Sequence, residues 1–137
     1  MWTASHSETV RAQAREIWQR WTEVTRWPEQ DASLVSASIN GPFAVGSVIT
    51  LKPKGSPTVT VTLVELTPNV SFSSVGKLPL AQLRFDHTID EMKDGVRFTQ
   101  SVSMTGPLAW LWSGLMGSTM AANLTARMQR LAQLVTT

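Results

Sequence analysis

His6 and His87 are the only imidazoles in this sequence, the side-chain type suited to proton transfer near neutral pH. His87 lies where Leu83, Phe85, His87 and Ile89 alternate with Arg84, Asp86 and Asp90. Phe98, Gln100, Val102 and Met104 alternate in the same way with Arg97, Thr99 and Ser101. Alternation of this kind marks strands with one apolar face. Residues 91–95 join the two as a hairpin loop. Pairing Ile89 with Phe98 puts His87 opposite Gln100 and Phe85 opposite Val102. His87 and Gln100 are then polar neighbours on an apolar inner face, with Asp90 and Arg97 as an exposed pair. An imidazole there can move a proton, and a carboxamide can orient a ligand's carbonyl or hydroxyl. A hydrogen bond between His87 and Gln100 would equally satisfy both groups, since buried polar groups are normally paired.

The rest of the chain offers little catalytic chemistry. There is no Cys, so disulfides, thiol catalysis and Cys-based zinc sites are excluded, and there is no Tyr to act as a general acid. No glycine-rich phosphate loop or Gly-x-Ser-x-Gly elbow occurs. No close pair of acids falls on an inward face, apart from Glu8 and Glu65. No cofactor and no metal are expected. The net charge of +2 is small, and no basic run is interleaved with aromatics, which argues against a nucleic-acid partner.

The elements that position these residues follow from periodicity. From residue 106 to residue 135 the apolar positions Leu108, Trp112, Met116, Met120, Leu124, Met128, Leu131 and Val135 recur at steps of four and three. That is one face of a long helix, widened by Leu111 and Leu115, with Pro107 as a favoured first residue. Residues 98–126 carry no charge, but Ser113, Ser118, Thr119, Asn123, Thr125 and two glycines argue against a membrane span. Strands are expected at residues 2–11, 33–39, 47–52, 58–67, 70–75, 80–90 and 96–105. A short helix is expected at residues 14–21 and a turn or second helix at 22–30, with any break at Trp27 before Pro28. Strands in hairpins followed by one terminal helix read as an α+β domain spanning residues 1–137. The helix covers one face of a curved antiparallel sheet.

Several helix residues could then face the same space as His87. Leu115, Met116, Thr119, Met120 and Asn123 border the apolar arc, and Met104 would meet Met116 and Met120 where helix and sheet join. Flexible thioethers suit variable apolar shapes, although Met at helical spacing also makes ordinary core. Gly114 and Gly117 inside the helix imply close approach of a strand or room for a ligand.

Val10-Arg11-Ala12 followed by Ile17-Trp18, then Trp27-Pro28, Gly41-Pro42-Phe43 with Gly46-Ser47, Glu65 before Pro68, Phe85 and His87, Gly95, and Gly106-Pro107-Leu108 carry a resemblance. In this order they resemble the SRPBCC superfamily, the helix-grip group of START domains, the birch pollen allergen and polyketide cyclase/dehydrase-like proteins. The family usually has Pro where this chain has Gln13, and an aromatic residue where it has Gln30. The resemblance implies a seven-stranded antiparallel sheet gripping the C-terminal helix, two short helices after the first strand, and an apolar cavity between sheet and helix. It places Trp18, Trp21 and Trp27 at the cavity mouth. It also puts the first strand beside the last, with His6 and His87 roughly 9–10 Å apart, too far to share a metal without further ligands.

Three functions fit. The first is binding of a small hydrophobic molecule (lipid, polyketide-like or aromatic), lined by Trp27, Phe85, His87, Phe98, Gln100, Val102, Met104, Leu115, Met116, Thr119, Met120 and Asn123. The second is a cyclase or dehydratase using His87 as acid or base in that cavity. The third is a protein-interaction module using the Trp segment. The N-terminal residues lack the pattern of a signal peptide, so the expected location is the cytoplasm, as a monomer or homodimer.

Overall fold

The computed structural model describes residues 1–135. Its elements are β1 (Trp2–Val10), α1 (Ala14–Thr22), a 3₁₀ helix (Val24–Glu29), β2 (Leu34–Ile39), β3 (Val48–Pro53), β4 (Val59–Thr67), β5 (Ser71–Leu78), β6 (Ala81–Met92), β7 (Gly95–Thr105) and α2 (Ala109–Val135). All seven strands form one antiparallel sheet in the order β1-β7-β6-β5-β4-β3-β2. The helix-grip architecture expected from the sequence is therefore present.

The β6–β7 register agrees with the hydrophobic pattern: Ile89 faces Phe98, His87 faces Gln100, and Phe85 faces Val102. The strands run further than expected, and Met92 pairs with Gly95 across a two-residue turn. Gly95 has φ +156°, and a Cβ there would lie 2.2 Å from the Val10 carbonyl oxygen. Glycine thus lets this turn sit against the end of β1. Asp90 and Arg97 do face each other on the exposed side, but no ion pair joins them among the described residues. There Arg84 binds Glu65 and Asp86, at 2.8 Å and 3.0 Å. A register shift between Leu63 and Glu65 accompanies this outward Glu65, so it is not an inward acid.

Three expectations about local structure change. The break falls at Glu23 rather than Trp27: the 3₁₀ helix contains Pro28, and the Trp27 carbonyl accepts from the Gln30 and Asp31 amides. Pro28 is tolerated because the turn's hydrogen bonds do not require a proton on its nitrogen. Strand β5 continues through Gly76 to Leu78, where a Cβ would come within 3.1 Å of the β4 backbone and Val61. Helix α2 begins at Ala109, since Gly106 to Leu108 form a turn whose Leu108 amide donates to the Leu80 carbonyl.

Helix α2, about 40 Å long, packs chiefly on β1 and β7 and touches β6 lightly. Leu124, Met128, Leu131 and Val135 are buried, and Trp112, Met116 and Met120 are partly buried against the same core. Leu111 and Leu115 do not widen the buried face: they are exposed, Leu115 at 67%, together with Trp110. The other half of the sheet is covered from α1 and the loop before β3, through Ile17, Trp18, Trp21 and Phe43. Glu16 starts α1 by accepting the Gln13 amide at 2.7 Å, a bond that proline at 13 would remove. No helix among the described residues is long and apolar enough to cross a membrane.

Candidate functional site

The strand registers set His6, Gln100, His87 and Phe72 in one row across β1, β7, β6 and β5. They lie on the sheet's concave face, where Phe98, Val102 and Met104 are buried beside them. His87 is 8% exposed. Its ring stacks on Phe72 with centroids 3.9 Å apart and planes 13° apart. Trp21 from α1 meets it edge-on at 5.0 Å. The His87 Nδ1 is buried and finds no hydrogen-bond partner among the described residues. Burial pushes this imidazole well below its usual pKa, and the positive charge of Arg127 adds to the effect. His87 is therefore neutral at pH 7.

Gln100 does not bond His87. Its side-chain oxygen accepts from Arg127 Nε at 3.0 Å. The Arg127 Nη1 lies 3.8 Å from Asp31 Oδ2, an ionic contact beyond hydrogen-bond reach. The other Asp31 oxygen is taken by the Ser33 amide at 2.9 Å and the Ser33 hydroxyl at 2.5 Å. Burial lowers the pKa of Arg127, and Asp31 opposes that shift. Two further buried atoms, Trp21 Nε1 and Gln30 Oε1, also have no partner among the described residues.

The remaining expected site residues scatter. Phe85, Trp27, Met116, Met120 and Asn123 are partly buried, and the Trp27 Nε1 donates to the Trp21 carbonyl at 3.1 Å. Thr119, like Leu115, is exposed, so neither lies with His87. Gly117 is explained by close approach: a Cβ there would lie 3.0 Å from the Trp2 ring, whereas Gly114 faces open space. His6 Nε2 and Glu8 Oε2 are 2.5 Å apart on β1. No group of three metal-binding side chains occurs among the described residues.

The open space expected beside His87 is occupied by Trp21 and Phe72, with Trp18 and Phe43 behind them. Two depressions lie elsewhere. One of about 450 Å³ runs from Ala12–Arg15 to Met92 and Val96, and one of about 550 Å³ lies between Glu8–Val10 and Gln129–Gln133.

Sequence reasoning missed Phe72 and Arg127 beside His87, and Asp31 beside Arg127. The signal for Arg127 was present, as it is the first charge after 29 uncharged residues and lies on a helix that must bury one side. Asp31, just after the 3₁₀ segment, reaches Arg127 only through the fold.

Residues 1–136 match the family described as polyketide cyclase/dehydrase and lipid transport. The chain belongs to that family. No curated protein matches this family member. Solved structures show its fold again. A protein from Mesorhizobium loti has TM-score 0.77 and 15% identity, covering 97% of this chain and 96% of the other. Truncated norcoclaurine synthase from Thalictrum flavum has TM-score 0.75 and 13% identity, covering 98% and 92%. The di-domain aromatase/cyclase StfQ of the steffimycin biosynthetic pathway has TM-score 0.78 and 13% identity, and this polyketide cyclase/dehydrase family chain covers 50% of it.

Proposed function

We propose that the protein binds a small hydrophobic molecule between the concave face of the sheet and α2, with His87 at the polar end of the site. The observation that carries this reading is the set of unpartnered polar atoms, Trp21 Nε1, Gln30 Oε1 and His87 Nδ1. Each buried polar group without a partner costs about 1–3 kcal/mol. A ligand that pairs with one or more of them recovers part of that cost. Family membership supports the same reading. So do the partly buried apolar side chains Phe85, Trp112, Met116 and Met120, which pack against the core. Because aromatic rings fill the space beside His87, entry requires Trp18 and Trp21 on α1 to move.

Mass spectrometry of the purified protein, first native and then denaturing, should detect a co-purified compound. His87→Ala and Gln100→Ala should each weaken its rebinding. Unchanged affinity in both variants would defeat the site assignment.

A second reading, a cyclase or dehydratase, is favoured by one feature. A neutral imidazole next to a guanidinium can take a proton while the cation stabilises developing negative charge. In that case His87→Ala abolishes turnover and leaves binding intact.

A further inference from the structure

The cluster around Arg127 narrows the ligand class, resting on the binding reading above. An arginine offers five N–H donors. Among the described residues Arg127 uses one of them in a hydrogen bond, Nε to Gln100. Its Nη1 has only the 3.8 Å contact with Asp31 Oδ2, beyond hydrogen-bond reach, while Ser33 takes the other oxygen, Oδ1. The fork at the end of the guanidinium thus keeps donor capacity next to Gln100 and Asp31. Gln100 ties it to the row that contains His87. Trp21 Nε1, a donor only, is also unpartnered and belongs to the ring that covers His87. Among the described residues Gln30 Oε1, an acceptor, is also unpartnered, and the neutral His87 Nδ1 donates or accepts according to its tautomer. The free capacity of the site is donor-rich.

Its charge is balanced. Asp31 stands against Arg127, so a ligand carboxylate would add a second negative charge next to a buried one. That repulsion and the desolvation of the acid offset what the ion pair would gain. A neutral acceptor takes the same hydrogen bonds without that penalty, and bonds from a charged donor are the strong ones. We infer that the head group is an uncharged carbonyl (ketone, ester or quinone) held by Arg127, and that the site discriminates against fatty acids of equal length.

Titration calorimetry with methyl nonyl ketone and undecanoate at about pH 8 tests this, because the two probes share a chain length and differ in the head. The wild type should bind the ketone at least about tenfold more tightly. The double variant Arg127→Met with Asp31→Asn removes both charges and leaves no buried ion unpaired. It should lose about tenfold in ketone affinity and with it the preference over undecanoate. Equal or tighter binding of undecanoate by the wild type overturns the inference while leaving a hydrophobic site in place. Ketone affinity unchanged in the folded double variant also overturns it. If neither probe binds the wild type, this inference and the binding proposal fall together.

Discussion

Phe72 and His87 face each other across the β5–β6 pair with their rings stacked, centroids 3.9 Å apart. With Trp21 on the ring's edge, this is a place for a neutral imidazole. The folded-state pKa is well below the ordinary value of 6.5, through burial first and Arg127 second. As pH falls through 6.5 the unfolded chain takes up a proton that the folded chain refuses. His87 therefore contributes stability that is intact above that pH and is lost below it, by up to about 1.4 kcal/mol per pH unit. Urea unfolding from about pH 7.5 to about pH 5 should show this component, and His87→Phe should remove it. An identical pH profile in the variant would mean that the imidazole is protonated in the fold.

Asp31 is the counter-charge of a largely buried Arg127. Asp31→Ala should cost about 2–4 kcal/mol by leaving the guanidinium uncompensated. Combined with Arg127→Met, the loss should be smaller than the sum of the two single losses by about 1 kcal/mol or more. Chemical denaturation of the four proteins in the cycle measures this coupling; strict additivity would show that the ionic contact has no energetic weight.

Two glycines of α2 should respond in opposite directions. Gly114 faces open space, so Gly114→Ala should stabilise by up to about 1 kcal/mol through helix propensity. Gly117 lies against the Trp2 ring, so Gly117→Val should destabilise by about 1–3 kcal/mol. Thermal unfolding should move the melting temperature up for the first and down for the second.

The orientation of α2 can be read from substitutions on its two sides. Trp110→Ser and Leu115→Gln act on exposed side chains and should change stability by less than about 0.5 kcal/mol. Met128→Ala empties a fully buried position and should cost about 2–5 kcal/mol. A large loss at Leu115 would mean that this face is covered in solution.

Much of the fold was legible because period-two and period-3.6 patterns report which faces are apolar. The pairing of His87 with Gln100 followed from alternation alone, since a one-residue slip would have turned Phe98 and Val102 to water. The errors arise where periodicity carries no information. Leu111 and Leu115 belong to an apolar stripe by composition, yet α2 packs chiefly on β1 and leaves both exposed. The partner of Gln100 was invisible because Arg127 arrives from a separate element, and nothing in a strand pattern specifies what crosses above it. The filling of the space beside His87 was likewise hidden, because it depends on how far α1 tilts Trp21 inward.

Strand β1 pairs along its whole length with β7, so Thr3 meets Ser103 a hundred positions later. Contacts this distant require nearly the entire polypeptide before they can form, which makes for slow folding. On the ribosome β1 must wait without a neighbour until β7 has emerged, and the concave surface stays wet until α2 follows it out. Holding a nascent chain soluble over that interval is a task for chaperones, and the polar alternate residues of β1 reduce its tendency to stick meanwhile.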